Sequence, residues 1–178
     1  MKQQIIISGV GGQGVLFVTR LLAEAAILRG LPVFTSETHG MAQRGGTVVS
    51  HLKVGEFSSP LIRPSCADGL LALKAENVSL HGAYLNTGAW AVVNSSEPVS
   101  GLSDCSGVFT ADADTYAQEI GTPKSVNLVL LGFALARIPK ENLFCTTDDV
   151  RSVMKNRLAN RKDMLDASVK ALETGHNK

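Results

Sequence analysis

The sequence predicts an α/β fold: a three-layer sandwich with a mostly parallel central sheet and helices on both faces. Three observations lead there. Short β-branched runs alternate with helical periods along most of the chain. The first run, Gln4–Ser8, is apolar on both faces, as suits a strand covered from both sides. Strand, glycine turn, helix and strand follow one another within the first 37 residues, the order of a Rossmann-like N-terminal βαβ unit.

The elements follow in order. After Gln4–Ser8, the helix that begins beyond Gly14 runs to about Arg29. Val15, Leu16, Val18, Leu21, Leu22, Ala25 and Ala26 cover most of its circumference, which predicts deep burial. Gly30 and Pro32 stop it. Pro32–Glu37 is the second strand, and a βαβ unit implies parallel pairing with a right-handed crossover. Thr38–Gly46 has no period and ends in two glycines, so it reads as a loop. Thr47–Gly55 alternates, with Val49, His51 and Lys53 on a wetter side and His51 expected at the surface.

Pro60 and Pro64 mark a connection. Gly69–Lys74 is a buried strand, Ala75–Tyr84 a helix, Asn86-Thr87-Gly88 a turn and Ala89–Ser95 a further strand. Ser95–Gly107 is loop-like. Gly107–Asp112 is a short strand, and Ala113–Ile120 a helix that stops at Gly121. Val126–Ile138 is an apolar helix ended by Pro139. Thr147–Thr174 spaces its apolar residues as two amphipathic helices broken near Asn160. There is no internal repeat, low-complexity tract or linker, so residues 1–178 read as one domain.

Bulk properties exclude several classes. With 44% hydrophobic and 19% charged residues and a net charge of +1, the chain has the balance of a globular protein. It lacks the field expected of a protein for nucleic acid or an anionic membrane. The longest apolar stretch, about thirteen residues, is short of the roughly 20 that span a bilayer. Three scattered cysteines, Cys66, Cys105 and Cys145, form no CxxC pair. They predict reduced, buried thiols in a cytoplasmic protein, with no metal or cluster site.

Two motifs carry the candidate chemistry. Gly9-Val10-Gly11-Gly12-Gln13-Gly14 contains the GxGxxG spacing between a strand and a helix, which sets free amides at a helix N-terminus. Glu37, 23 residues beyond Gly14, stands where a Rossmann domain places its ribose-binding acid. An extra glycine, Gln13 and the lack of a second half with hydride-transfer chemistry weaken that parallel. A bound phosphate or nucleotide, a purely structural turn, and contact with a partner subunit or another ligand all stay open. The second motif gathers Glu37, His39, Gly40, Met41, Gln43, Arg44, Gly45 and Gly46 at the carboxyl end of a strand, where open α/β sheets bind ligands. A plain Glu37–Arg44 pair is the simpler account of its charges. No nucleophile constellation is present, so no residue is assigned a catalytic role.

Together, GVGGQGVL and SETHGMAQRGGTVVSHLKVG, with SPLI, ADGLLAL and NLVLLGFAL further on, resemble the gamma subunit of the 2-oxoacid:ferredoxin (acceptor) oxidoreductases. The same module occurs as the beta subunit of indolepyruvate oxidoreductase and as a domain of pyruvate:ferredoxin oxidoreductase. The similarity covers roughly Lys2 to Pro139.

The resemblance implies a non-redox accessory subunit of a complex that oxidatively decarboxylates a 2-oxoacid with coenzyme A to acyl-CoA and CO2. Thiamine diphosphate, Mg and iron–sulfur clusters are then carried by partner subunits, one of them ferredoxin-like, and this chain alone binds no cofactor and is inactive. Whether the isolated chain forms a homo-oligomer stays open. The glycine loop then faces partner subunits or coenzyme A, the second motif lines that junction, and Arg44 is placed to meet a carboxylate or phosphate. The competing reading is a free-standing dinucleotide-binding protein or small NAD(P)-dependent oxidoreductase.

Overall fold

The computed structural model describes residues 1–39 and 46–178, His39 by its backbone only. Six strands form one sheet: β1 (Gln3–Val10), β2 (Val33–His39), β3 (Thr47–Val54), β4 (Ala67–Ala72), β5 (Leu85–Asn94) and β6 (Gly107–Ala111). Their order is β2-β3-β1-β4-β5-β6. β1, β4, β5 and β6 are parallel neighbours.

The N-terminal pairing differs from the expected one. β3 lies between β1 and β2 and is antiparallel to both, with Gln3 opposite Val54 and Val33 opposite Val54 from the other side. The strand–helix–strand order stands and the two outer strands share a direction, but they are not bonded to each other. β3 is a long alternating strand that returns along β1 and takes up its free edge.

One face of the sheet is covered by α1 (Val15–Leu28), α3 (Ala113–Glu119), α4 (Val126–Arg137), α5 (Thr147–Arg157) and α6 (Lys162–His176). Ile5, Ile7, Leu52, Leu71, Trp90 and Val92 meet these helices in one core. α4 and α6 touch backbone to backbone. A Cβ on Gly132 would lie 1.9 Å from the Leu172 carbonyl oxygen, and one on Gly175 1.8 Å from that of Val129. Trp90 lies over Gly69 of the neighbouring strand, where a Cβ would come within 2.1 Å of the indole.

The second face has a thinner cover: α2 (Asn77–His81), a 3-10 turn at Gly82–Tyr84, and irregular segments. Ile6, Leu70, Ala91 and Val93 pack there against Ile62, Val78 and Leu102. The expected 75–84 helix is therefore shorter than its sequence span. The side of β3 expected to be wet is dry, since His51 is 4% and Lys53 7% exposed. The segment after β3 folds back over them, and the His51 Nδ1 accepts from the Ile62 N–H at 3.2 Å. The Asn86-Thr87-Gly88 turn is absorbed into β5, with Gly88 at φ +87° beside a break in the β4–β5 register. Thr38 and His39 extend β2 beyond its expected end.

Candidate functional site

The glycine loop joins the carboxyl end of β1 to the amino end of α1. Gln13 folds into it. Its Oε1 accepts from the Val10 N–H at 2.8 Å and its Nε2 donates to the Leu73 carbonyl at 3.3 Å. Gly9 supplies the notch, since a Cβ there would sit 2.8 Å from Val15 Cγ2 and 3.0 Å from Gln13 Oε1. Gly14 opens the helix at φ +79°, a left-handed conformation suited to glycine. Asn127, at the start of α4, packs on it. Its Nδ2 donates to the Gly14 carbonyl at 3.3 Å and would lie 2.3 Å from a Cβ. Gly11 and Gly12 stay exposed.

This loop sits where the sheet changes hand. β1 continues into α1 on the first face and β4 into α2 on the second, so the crevice between their carboxyl ends is the topological switch point. Gln13 fills that crevice. The Leu73 carbonyl also accepts from Asn94 Nδ2 at 3.2 Å, and Asn94 binds the Asp114 carboxylate at 2.6 Å and accepts from the Ala113 N–H at 2.9 Å. Amide side chains from β5, the loop and α4 thus fix the carboxyl edge as a unit. Beside it an open cleft of about 500 Å3 is lined by Val10, Val15, Leu16, Phe17 and Val48, with Arg20 at its rim. Leu16, expected in the core, is half-buried and faces this cleft.

The Gly11 N–H donates to the Gly46 carbonyl at 2.9 Å. This bond joins the two sequence motifs, 35 positions apart by their numbers (46 − 11). Of the second motif, Glu37 lies on β2 opposite Ser50, His39 is the last residue of that strand, and Gly46 leads into β3. Gly40, Met41, Gln43, Arg44 and Gly45 lie outside the described residues.

The strand order moves Glu37 away from the place of a ribose-binding acid. A ribose-binding acid acts from the strand next to β1, whereas β3 intervenes here and holds β2 two strand spacings away, about 10 Å. Gln13 fills the switch crevice beside the loop, while Gly11 and Gly12 stay exposed.

Asn94, Asn127 and Arg20 escape sequence reasoning as site residues. Asn127 stands inside the NLVLLGFAL motif, but its partner lies 113 positions away. Cys145 lies in the first-face core, whereas Cys66 and Cys105 border the second. Among the described residues no group of three or more His, Cys, Asp or Glu side chains is placed to hold a metal ion. Nor is any helix among them long and apolar enough to cross a membrane.

Comparison with known proteins is in keeping with this geometry. The family model described as pyruvate ferredoxin/flavodoxin oxidoreductase matches residues 4–178. The indolepyruvate oxidoreductase subunit IorB of Archaeoglobus fulgidus is 30% identical over 198 aligned positions, which cover 99% of this chain and 95% of that one. The gamma subunit of a keto/oxoacid ferredoxin oxidoreductase from Geobacter sulfurreducens shares the fold, with a TM-score of 0.76 at 24% identity, over 98% of this chain and 96% of that one. So does the 2-oxoglutarate:ferredoxin oxidoreductase of Magnetococcus marinus, solved with 2-oxoglutarate, coenzyme A and succinyl-CoA bound. Its TM-score is 0.75 at 20% identity, over 98% of this chain and 30% of that much longer one. With the family match running from β1 through α6, the chain belongs to the pyruvate ferredoxin/flavodoxin oxidoreductase family.

Proposed function

We propose that the chain is the gamma-type, non-redox accessory subunit of a cytoplasmic 2-oxoacid:ferredoxin (acceptor) oxidoreductase, acting as one domain over residues 1–178. The complex converts a 2-oxoacid and coenzyme A into acyl-CoA and CO2 and passes two electrons to an acceptor. Thiamine diphosphate with Mg would be held by a partner subunit and would supply the electron sink for decarboxylation there, and iron–sulfur clusters on partners would take the electrons. The scattered cysteines and the lack of a gathered metal-ligand set among the described residues suit a chain that leaves redox chemistry to its partners.

The observation that carries this reading is the Gly11–Gly46 bond, which sets both motifs side by side at the carboxyl edge. Gly11 and Gly12 then form the surface turned to a partner subunit or to coenzyme A, with Gly9, Gln13 and Gly14 shaping the loop beneath them, and Glu37 and His39–Gly46 line the junction. Arg44 supplies a permanent positive charge with paired donors for a carboxylate or phosphate.

The test is to express the chain with its thiamine-binding and cysteine-rich partners and measure viologen reduction by a 2-oxoacid, indolepyruvate first, across coenzyme A concentrations. A stable complex is expected, inactive without this chain. Arg44→Ala is expected to lower turnover about ten- to a hundredfold, the loss of one charge-assisted contact, without unfolding the subunit. Failure to assemble would overturn the reading. Unchanged turnover and coenzyme A dependence in an assembled complex would remove Arg44 from the site.

A further inference from the structure

At the amino end of the sheet, opposite the glycine loop, the β4–β5 register breaks. Ala67 faces Leu85 and Gly69 faces Trp90, so β5 uses three more residues than β4 over that span. Irregularities of this kind re-aim side chains and often border functional sites. A cavity of about 230 Å3 lies at the break, lined by Gln3, Asp68, Asn86, Trp90 and Glu141, with exposed Lys2 beside them.

The polar groups around this cavity are held in place. The Asp68 carboxylate accepts from the Gln4 N–H on one oxygen and from Asn86 Nδ2 on the other, both at 2.8 Å. That leaves each oxygen a further lone pair. Gln3, 4% exposed, donates from Nε2 to the Asn142 carbonyl and accepts at Oε1 from the Phe144 N–H at 3.1 Å. These two bonds tie the turn that carries Glu141 to the start of β1. Trp90 is the exception. It is 5% exposed, and its indole N–H is buried with no hydrogen-bond partner among the described residues. A buried tryptophan N–H ordinarily has one.

We propose that this cavity binds a small α-amino acid, its carboxylate accepting from the Trp90 N–H and its ammonium donating to Asp68 and Glu141. Other ligand classes fit less well. A simple anion would meet two carboxylates. A simple amine would leave the indole without an acceptor. A metal ion lacks ligands, since no three His, Cys, Asp or Glu side chains gather to hold one among the described residues. A zwitterion serves both ends. Its ammonium donors meet the spare acceptor positions of Asp68 and Glu141, and Lys2 adds a positive charge for the carboxylate. The volume is below that of pockets for drug-sized ligands and suits a short side chain.

The experiment titrates the full chain with alanine by calorimetry at constant pH and ionic strength. Propionate, which lacks the amine, and ethylamine, which lacks the carboxylate, are the parallel probes. Saturable binding of alanine, but of neither probe, is expected. Asp68→Asn, which keeps an acceptor and removes the charge, is expected to weaken it about ten- to a hundredfold. A second readout is the indole N–H resonance in NMR, a single signal because the chain has one tryptophan. It should move downfield as the N–H gains an acceptor. If Asp68→Asn does not fold, Glu141→Gln, on an exposed side chain, should weaken binding in the same direction. No saturable binding of alanine, equal binding of propionate or ethylamine, undiminished binding in a folded variant, or an unmoved indole resonance at saturating alanine would each overturn the site.

Discussion

On the first face of the sheet, Ile5, Ile7, Leu52, Leu71 and Val92 meet α1, α4, α5 and α6, helices of 14, 12, 11 and 15 residues. On the second, Ile6, Leu70, Ala91 and Val93 meet a helix of 5 residues and irregular chain. The contrast shows two ways of sealing a sheet. A helix satisfies its own backbone and can lay a purely apolar stripe on the strands. Irregular chain cannot, and its buried amides need side-chain partners. His51 supplies one for Ile62, and His81 Nδ1 bonds the Ser8 hydroxyl at 2.9 Å. His51 and His81 are thus the anchors of this cover.

The comparison breaks most readily at the crossing of α4 and α6. Gly132→Ala drives a methyl group into the Leu172 carbonyl, so the helices must separate. A loss of about 3 kcal/mol is expected in urea denaturation. Trimming the second-face cover with Ile62→Val should cost only about 1 kcal/mol. A reversed order would show that the thin face, not the helical one, dominates stability.

Acid tests the anchors. Burial holds both His51 and His81 below their ordinary value of 6.5, so the unfolded chain takes up their protons more readily than the folded one. Their contribution to stability is thus complete above about pH 6.5 and is lost as pH falls below it. The midpoint of urea unfolding, followed from pH 7.5 down to about 5, should drop. His51→Gln, which keeps an acceptor for Ile62, should flatten the slope. A flat wild-type profile would remove the two histidines as anchors.

The smallest effect concerns reactivity alone. Cys145, in the first-face core, is 4% exposed and its thiol is pushed up to about 12, mainly by burial. Cys66 and Cys105, at the second face, are half-buried. Iodoacetamide at neutral pH, read by mass spectrometry, should label Cys66 and Cys105 well before Cys145. Early labelling of Cys145 would mean that the helical face opens as readily as the other.

Much of this was legible in the sequence because helix periods and glycine stops are local signals. Val15–Leu28 and Val126–Arg137 lie close to their expected bounds. What escaped depends on distant chain. Nothing in residues 1–37 announces that β3 will insert between β1 and β2. The dry side of β3 looks wet because its cover, Phe57 and Ile62, obeys no period. At the candidate site the glycines were visible and their reasons were not: the notch at Gly9 is shaped by Gln13 and Val15, and Gly14 yields to Asn127.

Trp90 is the chain's one tryptophan. It is 5% exposed, lies flat over Gly69, and its indole N–H has no hydrogen-bond partner among the described residues. The protein therefore carries its own optical gauge at the β4–β5 seam. The intrinsic emission comes from an indole in dry surroundings and stays at short wavelength while the helical layer is seated. A ligand or subunit that settles on the carboxyl edge or the thin face leaves that colour unchanged. A red shift reports that the helices over β5 have lifted, so docking and unfolding can be told apart in the same cuvette.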